Sequence, residues 1–130
     1  MMACTVCGRV GAWEQHHPTG RDQRDRYLDP TLTMPLCHDH HTLVHDDLHT
    51  LGLSHADERP TLIESIVVCL RRLAAVLARV DATRPVVTFW GLLADAMTGW
   101  ADALTSTVEC WDARDPRWRQ DARCYAEPGA

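Results

Sequence analysis

The sequence has no lysine and no asparagine, a single phenylalanine and two tyrosines. Every one of its 13 basic residues is therefore an arginine, a composition that suits a GC-rich genome. Long apolar runs are missing as well. Stretches such as Ile66 to Leu70 last only a few residues, far short of the roughly 20 that span a bilayer, so no membrane segment is expected. The first ten residues, MMACTVCGRV, lack the charged-then-apolar pattern of a signal peptide, which leads to the expectation of a soluble, cytoplasmic protein. A positive balance is also absent. The formal net charge is −5, which weighs mildly against a nucleic-acid partner. Net charge does not decide the matter, because binding depends on where charge sits and bound divalent ions would add to it. At 130 residues, one domain or one small domain with an appendage is expected.

What is present is concentrated. All eight histidines lie between His16 and His55, and Cys4, Cys7 and Cys37 share that stretch. The chain divides near residue 57. Residues 1–56 are loop-rich and full of metal-ligand types, and residues 57–111 read as two long helices. Pro60 and the pattern Thr61-x-x-Glu64 mark the start of the first. Apolar residues at 63, 66, 70, 73, 77 and 80 form its seam, and Arg84-Pro85 ends it. The second carries apolar residues at 86, 90, 93, 97, 100, 104 and 111, which puts Trp90, Trp100 and Trp111 on the packing seam. A short turn between such helices predicts an antiparallel hairpin. The hairpin is expected to pack on the N-terminal module, on a second copy or on another protein. Residues 112–130 are charged and proline-containing, and no regular structure is expected there.

The metal-ligand residues fall into two layers. Cys4-x-x-Cys7 and Cys37-x-x-His40 are two pairs with a turn's spacing, about thirty residues apart. Together they suit a structural zinc ion held by three cysteines and one histidine, a staple that a small module needs. Cys110 and Cys124 are alternatives for the fourth ligand, and a disulfide among these cysteines is the competing reading. The second layer is His16-His17 with His41-x-x-x-His45. His41 and His45 are one helical turn apart and can share an ion. On an extended strand the adjacent pair must point in opposite directions, so one imidazole can ligate while the other faces a substrate. An ion held by three imidazoles beside a free imidazole is chemistry for hydrolysis. The alternative is that all these histidines serve structural zinc sites.

The ordered set Cys4-x-x-Cys7, Glu14-Gln-His16-His17-Pro-Thr-Gly20-Arg21 and Leu36-Cys37-x-x-His40-His41-x-x-x-His45 resembles the HNH endonucleases, in particular the small zinc-framed proteins of phages and actinobacteria. The resemblance covers about residues 1–55. It implies a ββα-metal module with structural zinc, and with the long antiparallel helical hairpin that the periodicity predicts after it, a small α+β protein is expected. It implies that His16 is the first ligand of the catalytic ion, with His41 and His45 completing the set, and that His17 is the general base that activates water. Cys4, Cys7, Cys37 and His40 match the structural zinc ligands. The catalytic ion in this family is magnesium, manganese, nickel or zinc, and three imidazoles favour a transition metal.

The middle letter of the signature is where the chain departs from the family. Where the family carries an asparagine that braces the base-bearing strand, residues 28–36 offer Asp29, Thr31 and Thr33. Asp29 or Thr31 is the favoured substitute. Arg21, Arg24 and Arg26 are candidate phosphate contacts. The leading expectation is hydrolysis of phosphodiesters in double-stranded DNA. The alternatives are a zinc-stabilised binding module without catalysis, and an interaction protein that forms a homodimer or binds a partner through the hairpin.

Overall fold

The computed structural model describes residues 2–11, 13–18, 33–53, 61–84 and 89–120. Two very short antiparallel sheets come first. β1 (Met2–Ala3) pairs with β2 (Val10–Gly11). Between them the chain folds into a tight knuckle, in which the Gly8 N–H donates to the Cys4 carbonyl at 2.8 Å and the Cys4 N–H to the Arg9 carbonyl at 2.9 Å. Gly8 closes the knuckle at φ +76°, a backbone conformation that favours glycine because a Cβ there meets the following carbonyl. β3 (Glu14–His16) then pairs with β4 (Met34–Leu36), in the register Glu14↔Leu36, Gln15↔Pro35 and His16↔Met34.

Helix α1 (His38–Thr50) follows β4 directly. Its N-cap is Cys37, whose side chain makes no capping hydrogen bond. The C-terminus is well closed. The Gly52 N–H donates to the His49 carbonyl at 3.1 Å and the Leu53 N–H to the Leu48 carbonyl at 2.8 Å, with Gly52 at φ +71°. This pair of reversed bonds satisfies carbonyls that the helix end leaves open, and it places Leu53 against the core.

The two long helices form as the periodicity predicts. α2 spans Leu62–Thr83 and α3 spans Phe89–Arg114. Thr61 and Glu64 make the expected reciprocal capping box at the start of α2. At 1.5 Å per residue their 22 and 26 residues extend about 33 and 39 Å. Glu64 pairs with Arg119, Arg71 with Asp102 and Thr105, and Asp81 lies beside Gly91. Low numbers meet high ones, so the helices run antiparallel.

The α3 seam differs from the expected one. The buried positions are Ala94, Ala101 and Val108, seven residues apart, with Trp90 partly buried at the core. Trp100 and Trp111 are instead 57% and 41% exposed. Small residues at the contact let α3 lie close to α2, and indoles at that line would hold the helices apart. Trp111 stacks edge-to-face on Trp118, with ring centroids 5.1 Å apart. The segment after 111 is also more regular than expected. α3 continues to Arg114, and a further helical turn covers 118–120. That turn is held by Trp118 Nε1 donating to Asp112 and by Arg119 bonding both Asp112 and Glu64.

The hairpin packs on the N-terminal module, the first of the three expected arrangements. One apolar cluster joins Cys4, Val6, Leu36, Cys37, Val44 and Leu48 to Ala75, Val76 and Val80 of α2. Arg79 of α2 adds a two-pronged ion pair to Asp47 of α1, at 2.9 and 2.7 Å. No helix among the described residues is long and apolar enough to cross a membrane. Leu48 is fully buried where these elements meet. Its replacement by alanine should lower unfolding stability by about 3 kcal/mol, read from the shift of a denaturant midpoint. A loss below about 1 kcal/mol would show that α1 is not anchored there.

Candidate metal centres

The four residues of the first layer converge. Each of Cys4, Cys7, Cys37 and His40 offers a ligand atom, and these atoms all lie within 4.8 Å of one another. Cys4 and Cys7 come from the knuckle, Cys37 from the α1 N-cap and His40 from its first turn. His40 Nδ1 is 3.7 Å from Cys4 Sγ and 3.2 Å from Cys37 Sγ. Tetrahedral zinc with its usual bond lengths would set sulfur and nitrogen about 3.5 Å apart. The donor set and spacing therefore fit a metal ion such as zinc. Electrostatics agrees at Cys4. Burial pushes its thiol pKa up, but hydrogen bonds at the backbone of Cys37, Cys7 and Val6 and from His40 outweigh it and bring it down to about 6. A thiolate is thus present at neutral pH, the form that binds metal. Burial pushes the Cys37 thiol up, and a bound cation would offset that cost. Among the described residues, Cys4, Cys7 and Cys37 form no disulfide. Cys110 is exposed on α3 and outside this cluster, in which His40 offers the fourth ligand atom.

The second layer also converges. His16, His41 and His45 offer ligand atoms within 4.8 Å of one another. His16 is fully buried, and neither of its ring nitrogens has a hydrogen-bond partner. A buried imidazole with both nitrogens unpaired is costly, and a coordinated cation is the natural remedy. Its pKa is pushed down to about 3, first by burial and then by the positive charge of Arg72. It is therefore neutral, as a ligand must be. The ring centroids of His41 and His45 are 5.6 and 5.3 Å from that of His16, and the two Nε2 atoms are 2.9 Å apart. Burial, then His41 and Arg72, also lower the pKa of His45.

Glu14 orients this cluster. One carboxylate oxygen is 2.6 Å from His41 Nδ1 and the other 3.0 Å from His38 Nδ1. With its Nδ1–H given to Glu14, His41 keeps an Nε2 lone pair aimed at His45 and His16. A carboxylate behind a ligating histidine fixes tautomer and ring direction in this way. The His38 bond, then His41, depresses the Glu14 pKa, and Glu14 raises that of His38.

No protein-family model, curated protein or solved structure matches the chain.

His17 is half-buried and follows the last β3 residue. Its carbonyl and that of Pro18 accept hydrogen bonds from Arg72 of α2, at 3.3 and 2.7 Å. Of the three candidates for the missing asparagine, Asp29 and Thr31 lie outside the described residues, as do Arg21, Arg24, Arg26, His55 and Cys124. Thr33 is described, and its hydroxyl donates to the Gln15 side chain at 3.0 Å, bracing β3 from the residue just before β4. Two residues at the site had no role in the sequence reading. Glu14 was legible, because strand alternation puts it on the same face as His16. Arg72 gave no local signal, since its partners are backbone atoms 19 to 55 residues away.

Two measurements check the centres. The protein should carry two equivalents of a divalent transition metal by elemental analysis, with Cys37→Ser and His16→Ala each removing about one. Loss of both equivalents from His16→Ala in a folded protein would contradict two separate centres. Metal affinity at the cysteine site should weaken further once pH falls below about 6, followed by competition with a chromogenic chelator. The sign follows from the lowered Cys4 pKa, because protons compete for its sulfur only below that value. Release already complete at pH 8 would contradict it.

Proposed function

We propose that the chain is a metal-dependent endonuclease of the HNH type that hydrolyses phosphodiester bonds in double-stranded DNA. β3, β4 and α1 form its ββα-metal unit, and zinc at Cys4, Cys7, Cys37 and His40 frames it. The observation that carries this reading is the fully buried, doubly unpartnered His16 beside His41 and His45, with His17 next in the chain. A structural zinc site alone would have no use for an adjacent histidine of different exposure.

When bound at the three imidazoles, a divalent ion supplies Lewis acidity toward a phosphodiester oxygen. His16, His41 and His45 would hold it, and Glu14 keeps His41 in the ligating tautomer. His17 takes a proton from the attacking water as the new oxygen–phosphorus bond forms. The opposite oxygen–phosphorus bond breaks, and the departing alkoxide is protonated from solvent. Imidazole is the side chain most often used for such a transfer at neutral pH. Thr33, through Gln15, supports β3 where the family uses asparagine. Arg21, Arg24 and Arg26 are the phosphate contacts of this reading, and they oppose the −5 net charge locally.

Plasmid nicking with added magnesium, manganese, nickel or zinc tests the proposal. His17→Ala should reduce cleavage by roughly 100-fold or more while leaving metal content intact. Cleavage unchanged by that substitution would sink the assigned mechanism. No cleavage by the wild type with any of the four ions would leave a metal-stabilised binding module in its place.

A further inference from the structure

The ladder of β3 and β4 ends at His16↔Met34, so His17 and Pro18 lie beyond it. Their main chain is met instead by Arg72, a residue of α2 that is only 7% exposed. Its Nε donates to the Pro18 carbonyl at 2.7 Å, its Nη2 to the His17 carbonyl at 3.3 Å, and its Nη1 to the Leu53 carbonyl. Leu53 belongs to the turn that closes α1, the helix of His41 and His45. One planar fork thus ties the strand end that carries His17 to the end of the helix that carries two of the imidazoles.

Among the described residues no carboxylate pairs with this guanidinium, and three neutral carbonyls are its hydrogen-bond partners. Burying a cation on such terms is expensive. An apolar side chain of similar length would fill the space without that cost. What arginine adds is five donors at fixed angles, which hold three separate backbone atoms in one arrangement.

We propose that Arg72 is a positioning residue that fixes the His17–Pro18 main chain relative to the three-imidazole cluster, a bracing role that the helical hairpin supplies to the N-terminal module. As it concerns catalysis, this rests on the nuclease reading above. The placement itself does not. A misplacement of about 1 Å in a reacting group is enough to lower turnover strongly, while binding elsewhere is spared.

The test compares metal-loaded wild type with Arg72→Lys and Arg72→Met. The readouts are plasmid nicking, metal content, thermal unfolding and the carbonyl-carbon NMR signals of His17 and Pro18. Lysine keeps the charge and the stem but cannot span three carbonyls. Arg72→Lys is expected to keep both metal equivalents and KM for plasmid within about twofold, and to lower kcat about tenfold or more. The His17 and Pro18 carbonyl signals should shift. Arg72→Met should lose at least as much in kcat. Unchanged kcat, unmoved carbonyl signals, or a loss of metal that parallels the loss of kcat each overturns the proposal. If the wild type cuts no DNA, the nuclease reading fails and the carbonyl signals alone decide the placement. The wild type also provides a reading that needs no variant. The Arg72 Nε–Pro18 bond should give a through-hydrogen-bond coupling between that nitrogen and the carbonyl carbon, and a missing coupling overturns the proposal even if both variants fail to fold.

Discussion

Three thiols and an imidazole meet at Cys4, Cys7, Cys37 and His40, in a half of the molecule that has little else to rely on. Its strands are two or three residues long, and isolated ribbons of that size are not stable in water. A cation at those donors would link the knuckle to the start of α1 with a strength that a few buried valines and leucines cannot match. The knuckle in turn places β4, since the Thr5 N–H donates to the Pro35 carbonyl at 2.8 Å. β4 holds β3 in register, and β3 delivers Glu14 and His16 to the face of α1. The second cluster is therefore assembled through the first.

The two clusters differ in exposure. Two members of the cysteine set are buried and none is exposed, whereas His45 is exposed at the other cluster. Closed donor sets suit a structural ion and open ones suit an ion that must meet a ligand. Glu14 sits between the two ends of this arrangement, bound to His38 at the α1 start and to His41 one turn on.

Much of this was legible in residue spacing. Cysteine pairs two residues apart, and histidines one helical turn apart, carry their geometry in the chain itself, and both clusters assemble from the residues so identified. The helices and the Thr61 cap were equally local signals. The errors came where packing decides. The α3 seam runs through Ala94, Ala101 and Val108, because close approach rewards small side chains where a hydrophobic pattern nominates Trp100 and Trp111. The order after Trp111 depends on Asp112, Arg119 and Glu64 meeting across the hairpin, and sequence distance hides such pairs. Arg72 was invisible for the same reason. Its partners are backbone atoms, which have no signature in the sequence at all.

The shared cluster of Val44, Leu48, Ala75, Val76 and Val80 makes the chain a poor donor of parts. Residues 2–53 contain every donor of both clusters, and a grafting experiment would naturally lift them out as a cassette. Lifted out, the cassette would leave behind the α2 surface that covers α1, the Arg79 partner of Asp47 and the guanidinium beneath Pro18. Inheritance or engineering of this site must therefore carry the hairpin with it, even though no side chain of the hairpin belongs to either donor set.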